Sequence, residues 1–208
     1  MGIDKARYVW RKLTERQRGD LLEWRKLRGY PWHSPQHQDS HHIHFHVSAA
    51  CYEHKPHIGY TVERMEQFCD LLLGVPENDS REYIVAWCIL PNHYHLLVAT
   101  QRVKDFLGKL GRLHGRTSYN WNHEQNTRGR KVWHNAVERA IRSEAHYWAT
   151  INYIHHNPVH HGYVTKWEEW PFSSASDHLK NLGRAFVLAS WRNYPILDYG
   201  KGWDAPEL

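Results

Sequence analysis

The sequence predicts an α+β fold in which a ferredoxin-like antiparallel sheet is covered by helices, and three patterns carry that expectation. Apolar residues alternate along 42–51, two β-rich stretches at 82–90 and 93–99 are split by Pro91-Asn92, and apolar stripes at helical spacing lie between and after them. The resulting order of strand, helix, strand, strand, helix, strand, helix matches a layered α+β architecture with one extra helix at the end. With 208 residues, 41% hydrophobic and 13% aromatic, the chain can build one real core and is too rich in core formers to be disordered.

At the N-terminus, Thr14 with Gln17 forms a capping box, and Leu13, Leu21, Trp24 and Leu27 recur at helical spacing until Gly29, predicting an N-terminal helical arm. Pro31 to Ser40 is a loop. Along 42–51, Ile43, Phe45 and Val47 fall on one side and His42, His44 and His46 on the other, which reads as a half-buried strand with an exposed histidine face. From Thr61 a helix places Met65, Phe68, Cys69 and Leu72 on one stripe and closes at Gly74 before Pro76. After the 82–90 and 93–99 hairpin, a helix from Val103 to about Trp121 sends Val103, Phe106, Leu107, Leu110 and Leu113 to the core. Its Gly108, Gly111 and Gly115 each cost about 1 kcal/mol relative to Ala, so a partner, another helix or DNA, is expected to approach that backbone closely. A strand is expected within 131–141, and Ser143 caps a last helix expected to end near Asn157, because Pro158 follows. The predicted organisation is an arm at 1–40, a catalytic domain at 41–178 and a C-terminal tail at 179–208 to which the pattern assigns no role.

No apolar run approaches the roughly 20 residues of a membrane helix, and the N-terminus is mixed and charged rather than signal-like, so a cytoplasmic, nucleoid-associated protein is expected. Cys51, Cys69 and Cys88 are scattered, which argues against both a disulfide framework and a zinc knuckle. The net charge of +5 is unevenly placed: residues 1–40 carry nine Lys/Arg against five Asp/Glu, and residues 101–131 carry eight against two. The excess in the second segment makes Lys104, Lys109, Arg112, Arg116, Arg128 and Arg130 candidate DNA contacts, although a solvated helix face explains such a run equally well.

Two strings carry chemistry. In Pro91-Asn92-His93-Tyr94-His95-Leu96-Leu97-Val98 a strand would present the imidazoles of His93 and His95 side by side and turn Tyr94 away. With nineteen histidines in the chain, such a pair arises easily by chance and does not decide the matter alone. In Tyr153-Ile154-His155-His156-Asn157-Pro158-Val159, Tyr153 and Asn157 are one helical turn apart and lie off the apolar stripe of Tyr147, Trp148, Ile151 and Ile154. A surface aromatic beside a helix end is the plainer explanation of that pair. There is no Gly-x-x-x-x-Gly-Lys-Ser/Thr string, so nucleotide hydrolysis is not indicated.

Taken together and in this order, the two strings and the following Trp170-Pro171-Phe172-Ser173-Ser174 resemble the REP-associated tyrosine transposases, single-tyrosine HUH transposases, from about His42 to Ser176. The resemblance implies His93, His95 and Asn157 as ligands of a divalent metal, Mg²⁺ or Mn²⁺, and Tyr153 as the nucleophile. It also implies single-stranded palindromic hairpin DNA as partner, with the protein a monomer or homodimer. One departure is His160-His161-Gly162, where the family pattern often has a basic residue followed by Ala-Gly. A phenol of pKa about 10 needs an activated target, which a metal held by neutral ligands supplies by polarising a phosphate oxygen. Two other classes remain open on the residues: a hairpin-binding regulator without catalysis, and a histidine-metal phosphoesterase that uses water.

Overall fold

The computed structural model describes residues 43–76, 82–197 and 199, together with 14–16 and 23. The chain divides into Met1–Asp39 and Ser40–Leu208, and the sheet with its covering helices belongs to the second unit. The expected arm helix lies almost wholly outside the described residues, as do the 31–40 loop and His42. Four strands form one antiparallel sheet: β1 His44–Ala50, β2 Tyr83–Ile89, β3 His93–Ala99 and β4 Val137–Ala140, in the order β2-β3-β1-β4. With helices α1 Val62–Leu73 and α2 Val103–Glu124 between them, this is the βαββαβ order of the predicted ferredoxin-like layer. Helix α3, Glu144–His160, follows β4, and two short helices, α4 Ala175–Leu182 and α5 Arg184–Asn193, follow it.

Strand β3 is buried at all seven positions, since both faces of the sheet are covered. Tyr94, Leu96 and Val98 share one core with Phe45 and Val47 of β1, Phe68 and Leu72 of α1, and Phe106 and Leu110 of α2. Leu97 shares the other with Ala86 and Cys88 of β2 and Ile151, Tyr153 and Ile154 of α3. One face of the sheet therefore carries α1 and α2, while the other carries α3. Local rules set the helix ends: Thr61 caps α1 by accepting from the Arg64 amide at 3.2 Å, and Ser143 caps α3 by accepting from the His146 amide at 3.1 Å.

The structure departs from the sequence expectations at three elements. The strand expected within 131–141 shortens to four residues, because pairing with β1 stops at Val137 and resumes only as a single bridge between Trp133 and Cys51, where the Trp133 ring stacks on His114 of α2 with centroids 4.3 Å apart. Helix α3 runs three residues beyond Asn157, and its end is closed by the His161 amide on the Asn157 carbonyl at 3.0 Å and the Tyr163 amide on the Pro158 carbonyl at 2.9 Å. Pro158 is tolerated because it lies in the last turn, where little helix remains to be broken. The Trp170–Ser174 string pairs along β2: the Ile89 amide donates to the Phe172 carbonyl at 2.9 Å, the Ser174 amide to the Trp87 carbonyl at 3.0 Å, and the Trp170 indole to the Ile89 carbonyl at 2.9 Å. These bonds cover an edge that would otherwise expose unpaired backbone. The cysteines are free, Cys51 and Cys88 are buried, and burial pushes the Cys51 thiol up to about 12. No helix among the described residues is long and apolar enough to cross a membrane.

Gly59 ties this frame to the turn that enters β3. Its amide donates to the Pro91 carbonyl at 2.9 Å, and a Cβ added to it would lie 2.5 Å from the Pro91 Cβ and 2.8 Å from its Cα. Gly59→Ala must therefore displace the backbone just before His93. We expect it to lower stability by about 1–3 kcal/mol, as overpacking does, read as a lower urea midpoint; an unchanged midpoint would show that the turn yields freely.

Candidate functional site

Period-two geometry turns His93 and His95 to the α3 side of β3, and both are about 2% exposed. Their rings lie 5.1 Å apart at 83°. Each Nδ1 is engaged by a neighbour. His93 Nδ1 donates to Asn92 Oδ1 at 2.7 Å, and the orientation of that amide is set by its Nδ2, which donates to the His54 carbonyl at 3.1 Å. His95 Nδ1 lies 3.1 Å from Nε2 of His46 on β1, the strand beside it. Such contacts to the second ring nitrogen are what orient histidines that bind metals through Nε2.

Asn157 of α3 is fully buried, and its Oδ1 stands 3.0 Å from His93 Nε2. With the His93 proton held on Nδ1 by Asn92, Nε2 offers a lone pair, so two acceptors converge, an arrangement that calls for a cation between them. The spacing fits: neighbouring ligands of an octahedral Mg²⁺, each about 2.1 Å from the ion, lie about 3 Å apart. The donor set also fits, as two neutral imidazoles and an amide oxygen suit Mn²⁺ or Mg²⁺ completed by water and phosphate oxygens. Among the described residues no group of three or more His, Cys, Asp or Glu side chains could hold a metal ion, so a metal here would need the amide as well.

Tyr153, one turn before Asn157, is buried with its ring centroid 5.2 Å from His95 and 5.8 Å from His46. The structure thus brings His93, His95, Tyr153 and Asn157 together. Tyr94 instead points through the other face, where its hydroxyl is 3.0 Å from His114 Nε2 and burial raises its pKa. Burial pushes the His114 imidazole down to about 4, leaving it a neutral acceptor for that hydroxyl.

Three features of the site escape a reading of the sequence. His46, assigned to an exposed histidine face, is about 3% exposed and holds His95, because α3 covers the face of β1 to which it points. His161, in the departure from the family pattern, sets its ring 4.9 Å from that of His93. Tyr199 packs on Tyr153 with centroids 5.1 Å apart and places its hydroxyl 2.6 Å from Thr150 Oγ1 and 3.4 Å from His46 Nδ1; burial pushes it up to about 12. Only the dense aromatic content of the tail hints at Tyr199. His146 faces the Tyr199 hydroxyl at 3.4 Å, and His156 lies against Trp191.

The candidate DNA contacts divide. Lys104, Arg112, Arg116 and Arg128 are exposed. The Lys109 ammonium is committed to Glu82 at 2.7 Å, and Arg130 Nε donates to Asn122 Oδ1 at 2.9 Å, holding the loop after α2.

No family model matches the chain. A REP-associated tyrosine transposase of Escherichia coli K12 is 31% identical over 119 residues, which cover 57% of this chain and 67% of that protein. A Haemophilus influenzae relative named for the same family is 33% identical over 101 residues, 43% of this chain and 57% of its own length. Among solved structures, a REP-associated tyrosine transposase bound to a REP hairpin matches with a TM-score of 0.56 at 18% identity, covering 71% of this chain and 86% of that one. The structural likeness shows the fold, and the match over two thirds of the Escherichia coli protein shows the family: the chain belongs to the REP-associated tyrosine transposases.

Proposed function

We propose that this chain is a metal-dependent transposase and endonuclease that cleaves and rejoins single-stranded DNA at palindromic hairpins through a 5′-phosphotyrosine intermediate. The observation that carries the reading is the convergence of His93 and His95 on β3 with Asn157 and Tyr153 on α3 in one buried site. His93 Nε2, Asn157 Oδ1 and the His95 imidazole would hold Mg²⁺ or Mn²⁺, which when bound withdraws charge from a non-bridging phosphate oxygen. Tyr153, carried on a helix buried on several sides, holds its phenol at a fixed place relative to that phosphate. Attack by the phenol oxygen forms a Tyr–O–P bond and breaks the P–O3′ bond; the phenol gives up its proton and the 3′ oxygen leaves as a hydroxyl. One phosphodiester is exchanged for another, so the reversed reaction rejoins strands without nucleotide hydrolysis. The family membership supports the same reading, since one solved member of the family is bound to a REP hairpin.

The nucleophile is tested first. Tyr153→Phe keeps the ring but removes the attacking oxygen, so cleavage and the covalent adduct should be lost completely, while Tyr147→Phe, half-buried against His44, should retain both. A denaturing gel after incubation with labelled hairpin DNA and Mg²⁺ reads the adduct, and peptide mapping separates Tyr153 from Tyr199 in the same chamber. An adduct on another tyrosine, or unimpaired cleavage by Tyr153→Phe, overturns the assignment; hairpin binding without any adduct would favour the regulator.

The metal set is tested by binding. His93→Ala and His95→Ala should abolish cleavage and leave hairpin affinity within a small factor, whereas Asn157→Ala should regain some activity at high Mn²⁺. His46→Ala, by releasing the His95 ring, should weaken Mn²⁺ binding in calorimetry by about 10–100-fold. Full activity in chelator would sink this part.

The exposed face of α2 is tested by salt. Charge reversal of Arg112 and Arg116 should flatten the salt dependence of single-strand binding by roughly 0.7 for each phosphate they neutralise. Unchanged affinity and slope would make that face plain solvated surface.

A further inference from the structure

Beyond the candidate site, the C-terminal end of α2 and the loop after it border a half-open cavity of about 630 Å³ lined by Tyr119, Asn122, His123, Asn126, Arg128 and Gly129. We propose that this cavity seats one unpaired nucleotide of the DNA strand, with Tyr119 as the stacking platform for its base and Arg128 as the contact to its phosphate. The proposal rests on the reading of the chain as a single-strand DNA enzyme and adds to it a base-binding site away from the reacting phosphate.

The lining is chemically matched to a nucleotide. Tyr119 is 73% exposed, so its ring is offered to a ligand rather than spent on the core, and the His123 ring lies nearly parallel to it at 19°, with centroids 6.5 Å apart. Exposed aromatic faces beside a cationic groove are how proteins hold single strands without reading sequence. Arg128 supplies the cation, and among the described residues no acidic side chain lines the cavity; nearby Glu124 is committed to Arg64 at 2.6 Å. Arg112, Arg116, Tyr119 and His123 succeed one another at spacings of four, three and four, so they share one face of α2 and extend the positive surface away from the cavity. No described residue lies within 4 Å of a Cβ built on Gly111 or Gly115 of this helix, so no neighbouring helix of the described chain explains those glycines.

The cavity is also preformed. Asn122 Nδ2 donates to the Arg130 carbonyl at 2.8 Å and its Oδ1 accepts from Arg130 Nε at 2.9 Å, pinning the loop at both ends. Asn126 at φ 50° and Gly129 at φ 84° turn the chain back to form the wall, in the left-handed region that suits these residue types. A rigid cavity loses little ordering entropy when filled. Trp133 packs on Trp121 near the end of α2 and bridges to Cys51, whose amide bonds the Asn92 carbonyl at 2.7 Å, so the cavity lies toward the end of the sheet where β3 begins, on the face opposite the His93 and His95 imidazoles.

Stacking needs a bare base face, which a duplex hides, so the site should distinguish unpaired from paired DNA. The experiment measures fluorescence anisotropy of the full-length protein with two fluorescein-labelled probes, a hairpin carrying an oligo(dT) overhang and the same hairpin with a blunt end. Tyr119→Ala should weaken the overhang probe about five-fold or more and leave the blunt probe unchanged, while Tyr119→Phe keeps the wild-type affinity. Arg128→Ala should weaken the overhang probe and flatten its salt dependence, and 5-iodouracil in the overhang should cross-link to the Tyr119–His123 segment. Unaltered overhang binding by Tyr119→Ala and Arg128→Ala, equal losses on both probes, or cross-links confined elsewhere would overturn the proposal. When the wild type binds the hairpin, those results strike the nucleotide site alone; wild-type protein that binds neither probe strikes the underlying enzyme reading as well.

Discussion

The contact between His93 Nε2 and Asn157 Oδ1 joins two elements that nothing in local sequence brings together, and the site depends on it. It exists because β3 is covered on both faces. A strand in that position is ordinarily apolar throughout, and a polar side chain there must find partners or bear an uncompensated desolvation cost of about 1–3 kcal/mol. Asn92 and His46 meet that demand at the two Nδ1 atoms, so the groups that satisfy the core are the same groups that orient the two imidazoles, while His93 Nε2 and Asn157 Oδ1 face each other as acceptors. Packing and chemistry are one requirement here.

The position of α3 is held from its far side as well. His155, fully buried, bonds Ser174 Oγ at 2.9 Å, and burial pushes its imidazole down to about 3, so it stays neutral in that contact. Ser174 in turn accepts from the Trp87 amide at 2.9 Å, which links α3 through the Trp170–Ser174 string to the edge of the sheet. Asn152 donates to the Tyr194 carbonyl at 2.9 Å, and Thr150 reaches Tyr199. A helix fixed from several directions cannot roll to present another residue, and this holds Tyr153 and Asn157 against the β3 histidines.

The strand and helix periods make most of the architecture legible, because β1, α1, the β2–β3 hairpin and α2 each carry a regular apolar pattern, and Thr61 marks the start of α1. Legibility fails where a residue's environment comes from elements distant in sequence. His46 alternates with Phe45 and Val47 as an exposed residue would, and only the later α3 turns that face inward. Tyr153 and Asn157 lie off the apolar stripe of their helix, yet both are buried, since polar groups and the tail cover the faces that Ile151 and Ile154 leave. Charge runs show the same limit: Lys109 and Arg112 are alike in sequence, but Glu82 claims the first and leaves the second at the surface. The four chemical positions emerge from the ordered strings rather than from spacing, which alone favours plainer explanations.

The two faces of β3 divide the labour in a way that bears on how such a site tolerates change. Tyr94, Leu96 and Val98 contribute to the larger core with Phe68, Phe106 and Trp133, where truncating one large side chain costs about 2–5 kcal/mol. His93 and His95 on the opposite face contribute little apolar burial, and the smaller core around them leans on Leu97, Ile151 and Ile154. Stability and site chemistry are therefore drawn from alternate residues of a single strand. The alternation also explains why the fold can carry a polar cluster at its centre: the larger core on the far face holds the sheet in register, and the register of β1 on β3 brings His46 to His95 with no loop between them to adjust.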